Sequence, residues 1–270
     1  MNPPYTNNID LKFFPVAINV SDRIVAVHTA ISTITRKQTK RYVEHKKLID
    51  GHVKSIKLFN GNPVFGIELF YPCQIVDIDM SKTFPEVTVD YHKTGTQVFR
   101  SIFDVTKWGN IPEYYSLEKK ILDWCNANDN CEDHLTSDTS GSWFINIPQI
   151  VTGKLCESDA YADMYGPSQY AFFGKSNLVS TSHMGGYYKA FQFGRRTEAD
   201  NMFTYLQTDF ARFSLSVLKC NCNLHSGELR GVPYLPSYSE DWTDIKLNEF
   251  FGITEAEQAF IKKVIPKYYT

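Results

Sequence analysis

NPPYTNNIDLKFFPVAINVSDRIVAVH, residues 2–28, is the stretch on which the fold turns. Its last six residues, Arg23 to His28, are rich in β-branched side chains and predict a short buried strand. Ahead of them Leu11, Phe13, Phe14, Ala17 and Ile18 recur with partly helical spacing, which predicts a helix that Pro15 kinks or shortens. First of all stands Asn2-Pro3-Pro4-Tyr5, made rigid by two prolines that fix φ.

Beyond this stretch, Lys37 to Asp50 is charged but carries Tyr42, Val43, Leu48 and Ile49, and Gly51 follows in the place of a helix C-cap. Ser55 to Phe59 alternates as a half-buried strand, Asn60-Gly61 supplies turn chemistry, and Phe65 to Asp79 predicts a long apolar strand broken at Pro72. The order helix, strand, helix, strand, turn, strand implies an α/β class. Val87-Thr88-Val89, Val98-Phe99 and Ile102-Phe103 predict strands that leave this sheet, and Glu118 to Trp124 a short helix. Asn126 to Ser142 is polar and turn-rich, as a linker or mobile loop would be. Trp143 to Ile147 restarts as a strand, and Ser168 to Phe193 is aromatic and Gly-rich without helical period. Thr197 to Leu218 predicts one helix whose stripe of Ala199, Met202, Phe203, Leu206, Phe210, Phe213 and Val217 is core.

With 270 residues and 43% apolar content the chain can bury a sizeable core, which excludes a disordered adaptor. A net charge of −2 is not the signature of a strongly basic nucleic-acid binder, so any contact with DNA must come from local patches. The densest run is Arg36-Lys37-x-x-Lys40-Arg41-x-x-x-His45-Lys46-Lys47, which as a helix face meets either solvent or phosphates. Arg195-Arg196, after an aromatic-rich segment containing Lys189, is the second patch. No long apolar span or signal peptide is present, so a cytoplasmic protein without membrane contact is expected. The six cysteines suit reduced thiols. Cys220-Asn221-Cys222-x-x-His225, with Cys125, Cys131 and His134, departs from the ligand spacing of a standard zinc finger, and no metal site is expected.

Residues 1 to about 80 resemble the segment from the catalytic motif to the end of the sheet in N6-adenine DNA methyltransferases of restriction-modification systems and large DNA viruses. NPPYTNNIDLKFFPVAINVSDRIVAVH, HVKSIKLFNGNPVFGI and LFYPCQIVDID carry the likeness, and WTDIKLNEFFGITEAEQAFIKKVIP is similar to the tail that follows the recognition region of that family. Thr29 and Ala30 depart from the family's pattern after the strand, and Pro15 is unusual in its helix.

The resemblance implies the second half of a class I methyltransferase sheet over 1–115, incomplete because it starts at the motif, followed over 116–270 by an α+β target-recognition domain with short C-terminal helices. It implies that the Asn2 side-chain carbonyl and the main-chain carbonyl of Pro3 accept hydrogen bonds from the amino group of a flipped base, with Pro4 holding them rigid and Tyr5 offering a stacking face. The target would be adenine N6, with cytosine N4 as the other amine such a motif serves. Duplex DNA would be the partner, contacted through Lys37, Lys40, Arg41, Lys189, Arg195 and Arg196. The methyl donor would be S-adenosylmethionine, but its Gly-rich loop has no counterpart here, so its site is expected on a complementary subunit. The other reading is a non-catalytic remnant acting as a specificity subunit, decoy or anti-restriction inhibitor. A bacterial or virus-infected cytoplasm is the setting both imply, and an open sheet edge would favour a complementary chain or self-association.

Overall fold

The strand β1 (Arg23–Thr29) buries alternate residues: Ile24, Ala26 and His28 face inward. Over that inward face lies α1 (Ile9–Val20), whose Phe14 is fully buried. The helix runs past Pro15 and closes with Ser21 N donating to Ala17 O at 3.0 Å. Pro15 is exposed, so water can reach the carbonyl that loses its amide partner, and the expected shortening does not occur. After a single turn, α2 (Ile31–Ile34), comes α3 (Lys40–Ile49), which buries Tyr42, His45, Lys46 and Ile49. Gly51, at φ 77°, then turns the chain into β2 (Val53–Phe59).

Asn60-Gly61 leads into a further turn, α4 (Asn62–Phe65), and β3 begins only at Cys73 (Cys73–Asp79), later than the apolar run from Phe65 predicts. β4 (Val87–Asp90) and β5 (Thr96–Phe99) do not leave the sheet as expected but extend it, because β4 pairs parallel to β2, and they complete a five-stranded mixed sheet of order β1-β3-β2-β4-β5. β3 is antiparallel to both β1 and β2, while β2 and β4 are parallel, so β1, β2 and β4 all point the same way. Ile102-Phe103 is not a strand but part of a 3-10 turn, Ile102–Asp104. Asp50 Oδ1 takes the Ile102 amide at 3.1 Å and the Ser101 hydroxyl at 2.8 Å, and Ser101 Oγ takes the Phe103 amide, which consumes the donors a ladder would need.

The structure, a computed structural model, describes residues 1–3, 9–66, 72–91, 95–147, 179–183, 189–220 and 226–265. They form two compact units, one within Met1–Asn110 and one from Ile111 onward. The second unit opens with α5 (Pro112–Ala127), longer than its apolar period suggests because Pro112 starts it at the first helical position. β6 (Trp143–Ile147) is the centre of a three-stranded antiparallel sheet between β7 (Val179–Ser180) and β8 (Lys189–Phe193).

The single helix expected over Thr197–Leu218 is two helices, α6 (Arg196–Gln207) and α7 (Asp209–Leu218). Thr208 breaks them: its extended backbone ends the first, and its hydroxyl caps the second through the Ala211 amide at 3.2 Å. Asp244 takes the Asp209 and Phe210 amides at 3.2 and 2.9 Å, so the new helix start is satisfied twice. The apolar stripe survives the break, with only Phe203 half-buried. α8 (Asp244–Phe250) and α9 (Glu255–Val264) follow Trp242-Thr243 as the expected pair of short helices. Glu257 closes a capping box with Thr254 and also binds Lys120 Nζ at 2.7 Å and the Ser116 hydroxyl, tying α9 to α5. Among the described residues no helix is long and apolar enough to cross a membrane.

His45 sits beneath α1 with neither ring nitrogen hydrogen-bonded among the described residues and its ring 4.7 Å from Phe14 and 6.0 Å from His28. Burial pushes its pKa down to about 3 from an ordinary 6.5, helped by His28 and Lys46 and opposed by Asp10. Below pH 6.5 the unfolded chain therefore binds the extra proton first, and stability falls as pH drops towards 3. Urea denaturation should find about 2 kcal/mol lost between pH 7 and pH 5 from this group, a slope that His45→Leu removes.

Candidate functional site

Met1 lies along the free side of β1. Its nitrogen donates to Val25 O at 2.5 Å, and its carbonyl takes the Val27 amide at 2.9 Å. One residue bonded to positions 25 and 27 of a strand is the pattern of a parallel bridge. Asn2 and Pro3 accordingly leave this bridge towards the carboxyl end of β1, the side on which open α/β sheets hold their ligands. Asn2 is exposed and Pro3 is buried. Pro4 and Tyr5 lie outside the described residues.

A buried polar chain begins in α1. Asp10, in the first turn, takes the Thr29 hydroxyl on Oδ2 at 3.1 Å, and His28 Nδ1 lies 3.3 Å from the same oxygen. The amide nitrogen of Gln74 on β3 is 2.8 Å from His28 Nε2. An amide nitrogen can only donate, so Nε2 accepts and Nδ1–H is the donor to Asp10. Asp10, His28 and Gln74 are 2%, 0% and 1% exposed. Sequence reasoning missed this chain, because three polar residues on separate elements leave no local pattern.

The two faces of the sheet differ. On the face away from α1 and α3, a cavity of about 560 Å³ is lined by Val27, Ile75, Lys57 and Phe59 from the strands and by Pro63, Val64 and Phe65 from α4. Between α1 and α3, a groove of about 610 Å³ is lined by Leu11, Lys12, Pro15, Arg41, Glu44, His45 and Leu48.

The candidate DNA contacts separate by unit. Lys40 is exposed and 3.9 Å from Glu44, Arg41 lies 4.9 Å over the Tyr42 ring beside the groove, and Lys37 is half-buried at the approach to α3. In the second unit Lys189 is half-buried at the start of β8, Arg195 is exposed before α6, and Arg196 lies 5.3 Å over the Trp143 ring with Nε 3.4 Å from Asp200. Arg195 thus offers an exposed charge, whereas Arg196 is already engaged on both sides.

No family model and no curated protein matches this sequence. Among solved structures, the type IIG restriction endonuclease BpuSI is similar at a TM-score of 0.33 and 9% identity, over 95% of this chain and 44% of that one. The chain spans less than half the length of that enzyme.

Among the described residues no group of three His, Cys, Asp or Glu could hold a metal ion. Cys222 and His225 of the possible zinc set lie outside them. Burial pushes the Cys125 thiol up to about 12 and that of Cys131 well above the usual range, and Cys131 Sγ donates to Pro233 O. Thiols held so firmly protonated are poor nucleophiles and poor metal ligands. At pH 8 Cys125 and Cys131 should react with a disulfide reagent at least about a hundredfold more slowly in the native protein than in denaturant, as mass spectrometry of the labelled peptides would read.

Proposed function

We propose that this chain is the amine-polarising and DNA-contacting part of an N6-adenine DNA methyltransferase, acting on a base flipped from the duplex and completed by a donor site elsewhere. The parallel bridge of Met1 to β1 carries the reading. It supports the reading because Asn2-Pro3 follow it at the carboxyl end of β1, ahead of a helix, a strand and an antiparallel pair of strands in the order the motif's family implies. A nucleobase amino group is a weak nucleophile because its lone pair is delocalised into the ring. Two acceptors, the Asn2 side-chain oxygen and the Pro3 carbonyl, would draw its hydrogens into one plane and localise that lone pair. Tyr5 would stack on the extruded ring, an interaction worth about 1–3 kcal/mol.

S-adenosylmethionine needs a glycine turn where a strand enters a helix, so that its methionine part can approach the backbone. The described glycines at positive φ do not supply one in this sheet: Gly51 closes α3, Gly66 closes α4, and Gly95 joins β4 to β5. The described residues do not fit the donor. Its site is assigned to a partner or to chain beyond this sequence.

In an assay with the donor-binding part of such an enzyme, labelled S-adenosylmethionine and unmethylated DNA, N6-methyladenine should form. Asn2→Ala should cut that rate at least about a hundredfold while DNA affinity stays unchanged. DNA binding without transfer in the native chain would instead support the non-catalytic specificity or decoy reading. Neither binding nor transfer would remove both.

A further inference from the structure

We infer that the groove between α1 and α3 is a binding site for a small carboxylate with an apolar body, held by Lys12 and Arg41 at its head and by His45 on the floor. The inference does not depend on the methyltransferase reading. Its floor carries it. His45 lines the groove, is 4% exposed, and has no hydrogen-bond partner for either ring nitrogen among the described residues. Leaving a buried polar group unpaired costs stability, and ring contacts with Phe14 and His28 do not replace the lost hydrogen bonds. Burial keeps the imidazole neutral at physiological pH by pushing its pKa down to about 3, so one nitrogen is a donor and the other an acceptor. A ligand seated in the groove supplies a bond that the fold itself does not.

The groove is graded from charged to apolar along its length. Arg41, Glu44, His45 and Leu48 stand three or four residues apart and share one face of α3, and Leu11, Lys12 and Pro15 line the groove from α1. Both helices lead through short turns into β1 and β2, which point the same way, so they run side by side in one sense. Lys12 and Arg41 therefore lie nearer the amino ends, where helix dipoles add partial positive charge, and Pro15 and Leu48 lie further along. Glu44 on the same rim is 3.9 Å from Lys40, which offsets its charge and leaves the head of the groove cationic. An anion suits that head, and His45, one turn on from Arg41, offers an N–H to a carboxylate oxygen. The volume of about 610 Å³ falls within the range of small-molecule sites. A docked helix fits less well: the wall from Leu11 to Pro15 is about 6 Å long, shorter than the i to i+7 row by which a helix fills a groove.

Titrating the full chain at neutral pH with naphthoate and with decanoate, one aromatic and one aliphatic body, while following its isotope-labelled histidine rings by NMR, tests the site. At least one acid should bind saturably and move the ring-nitrogen resonances of His45, while those of His52 and His134, which do not line the groove, stay in place. Whichever acid binds should do so at least about tenfold more tightly than its amide, the same body without the charge. Lys12→Met combined with Arg41→Met should remove that preference; both positions are exposed, so the fold should tolerate the change. His45→Leu should weaken the acid by about tenfold through loss of the floor bond. If His45→Leu does not fold, the ring shifts and the Lys12 and Arg41 variant decide. No saturable binding of either acid would overturn the site. So would binding that leaves His45 unmoved, or equal affinity for acid and amide in the native chain, which would mark unspecific adsorption to apolar surface.

Discussion

Everything in the first unit takes its position from the insertion of β3, antiparallel, between β1 and β2. The insertion puts Gln74 opposite His28 and Val76 opposite both Ala26 and Ile56, so one strand carries the core contacts of two. It also makes β1 the outer strand, with one side bonded to β3 and the other left for Met1. Were β3 at the edge instead, the polar chain from Gln74 to Asp10 could not form and the motif would border a different strand.

The core of the first unit holds several buried polar side chains. His28, Gln74, Asp10 and His45 occupy positions that packing alone would give to aliphatic residues. Asp10, His28 and Gln74 bond in a chain that leaves Gln74 Oε1 without a partner among the described residues, and His45 is left to ring contacts with Phe14 and His28. Apolar burial supplies the stability here, and the hydrogen bonds supply direction. Helices packed by apolar contact alone tolerate small displacements, which the directional bonds of Asp10 to Thr29 and His28 restrict.

Much of the architecture was legible from side-chain periodicity. Arg23 to His28 reads as a strand because β-branched residues suit a pleated surface, and Ala199 to Val217 reads as core because its apolar positions recur every three to four residues. Both readings rely on signals confined to one element. The break at Thr208 escaped because a period of 3.6 can continue across a cap when the next helix starts in phase, and threonine is ordinary in helices as well as at their starts. Ile102-Phe103 looked like a strand because apolar β-formers say nothing about Asp50, 52 residues before Ile102 in sequence and at hydrogen-bond distance in the fold. In the candidate site, Asn2 and Pro3 were singled out from the sequence as a proposal, because the motif carries its residue types in one short string. Asp10 and His28 were not, since an aspartate early in a helix has a sufficient explanation in the helix dipole and a histidine in a strand has no signature at all.

The way Glu257 is held has a mechanical meaning. One carboxylate receives the Thr254 backbone and side chain, Lys120 and Ser116, so the last described helix is fastened to α5 at its amino end and by apolar contact along its length. A pull on the carboxyl terminus therefore reaches Val264 and Ile261 first and the Glu257 cluster last, peeling the helix turn by turn instead of shearing it loose at once. The join is weak at the end that is pulled and strong at the end that anchors, so under tension it would yield gradually and re-seat from its fixed end when the load is released.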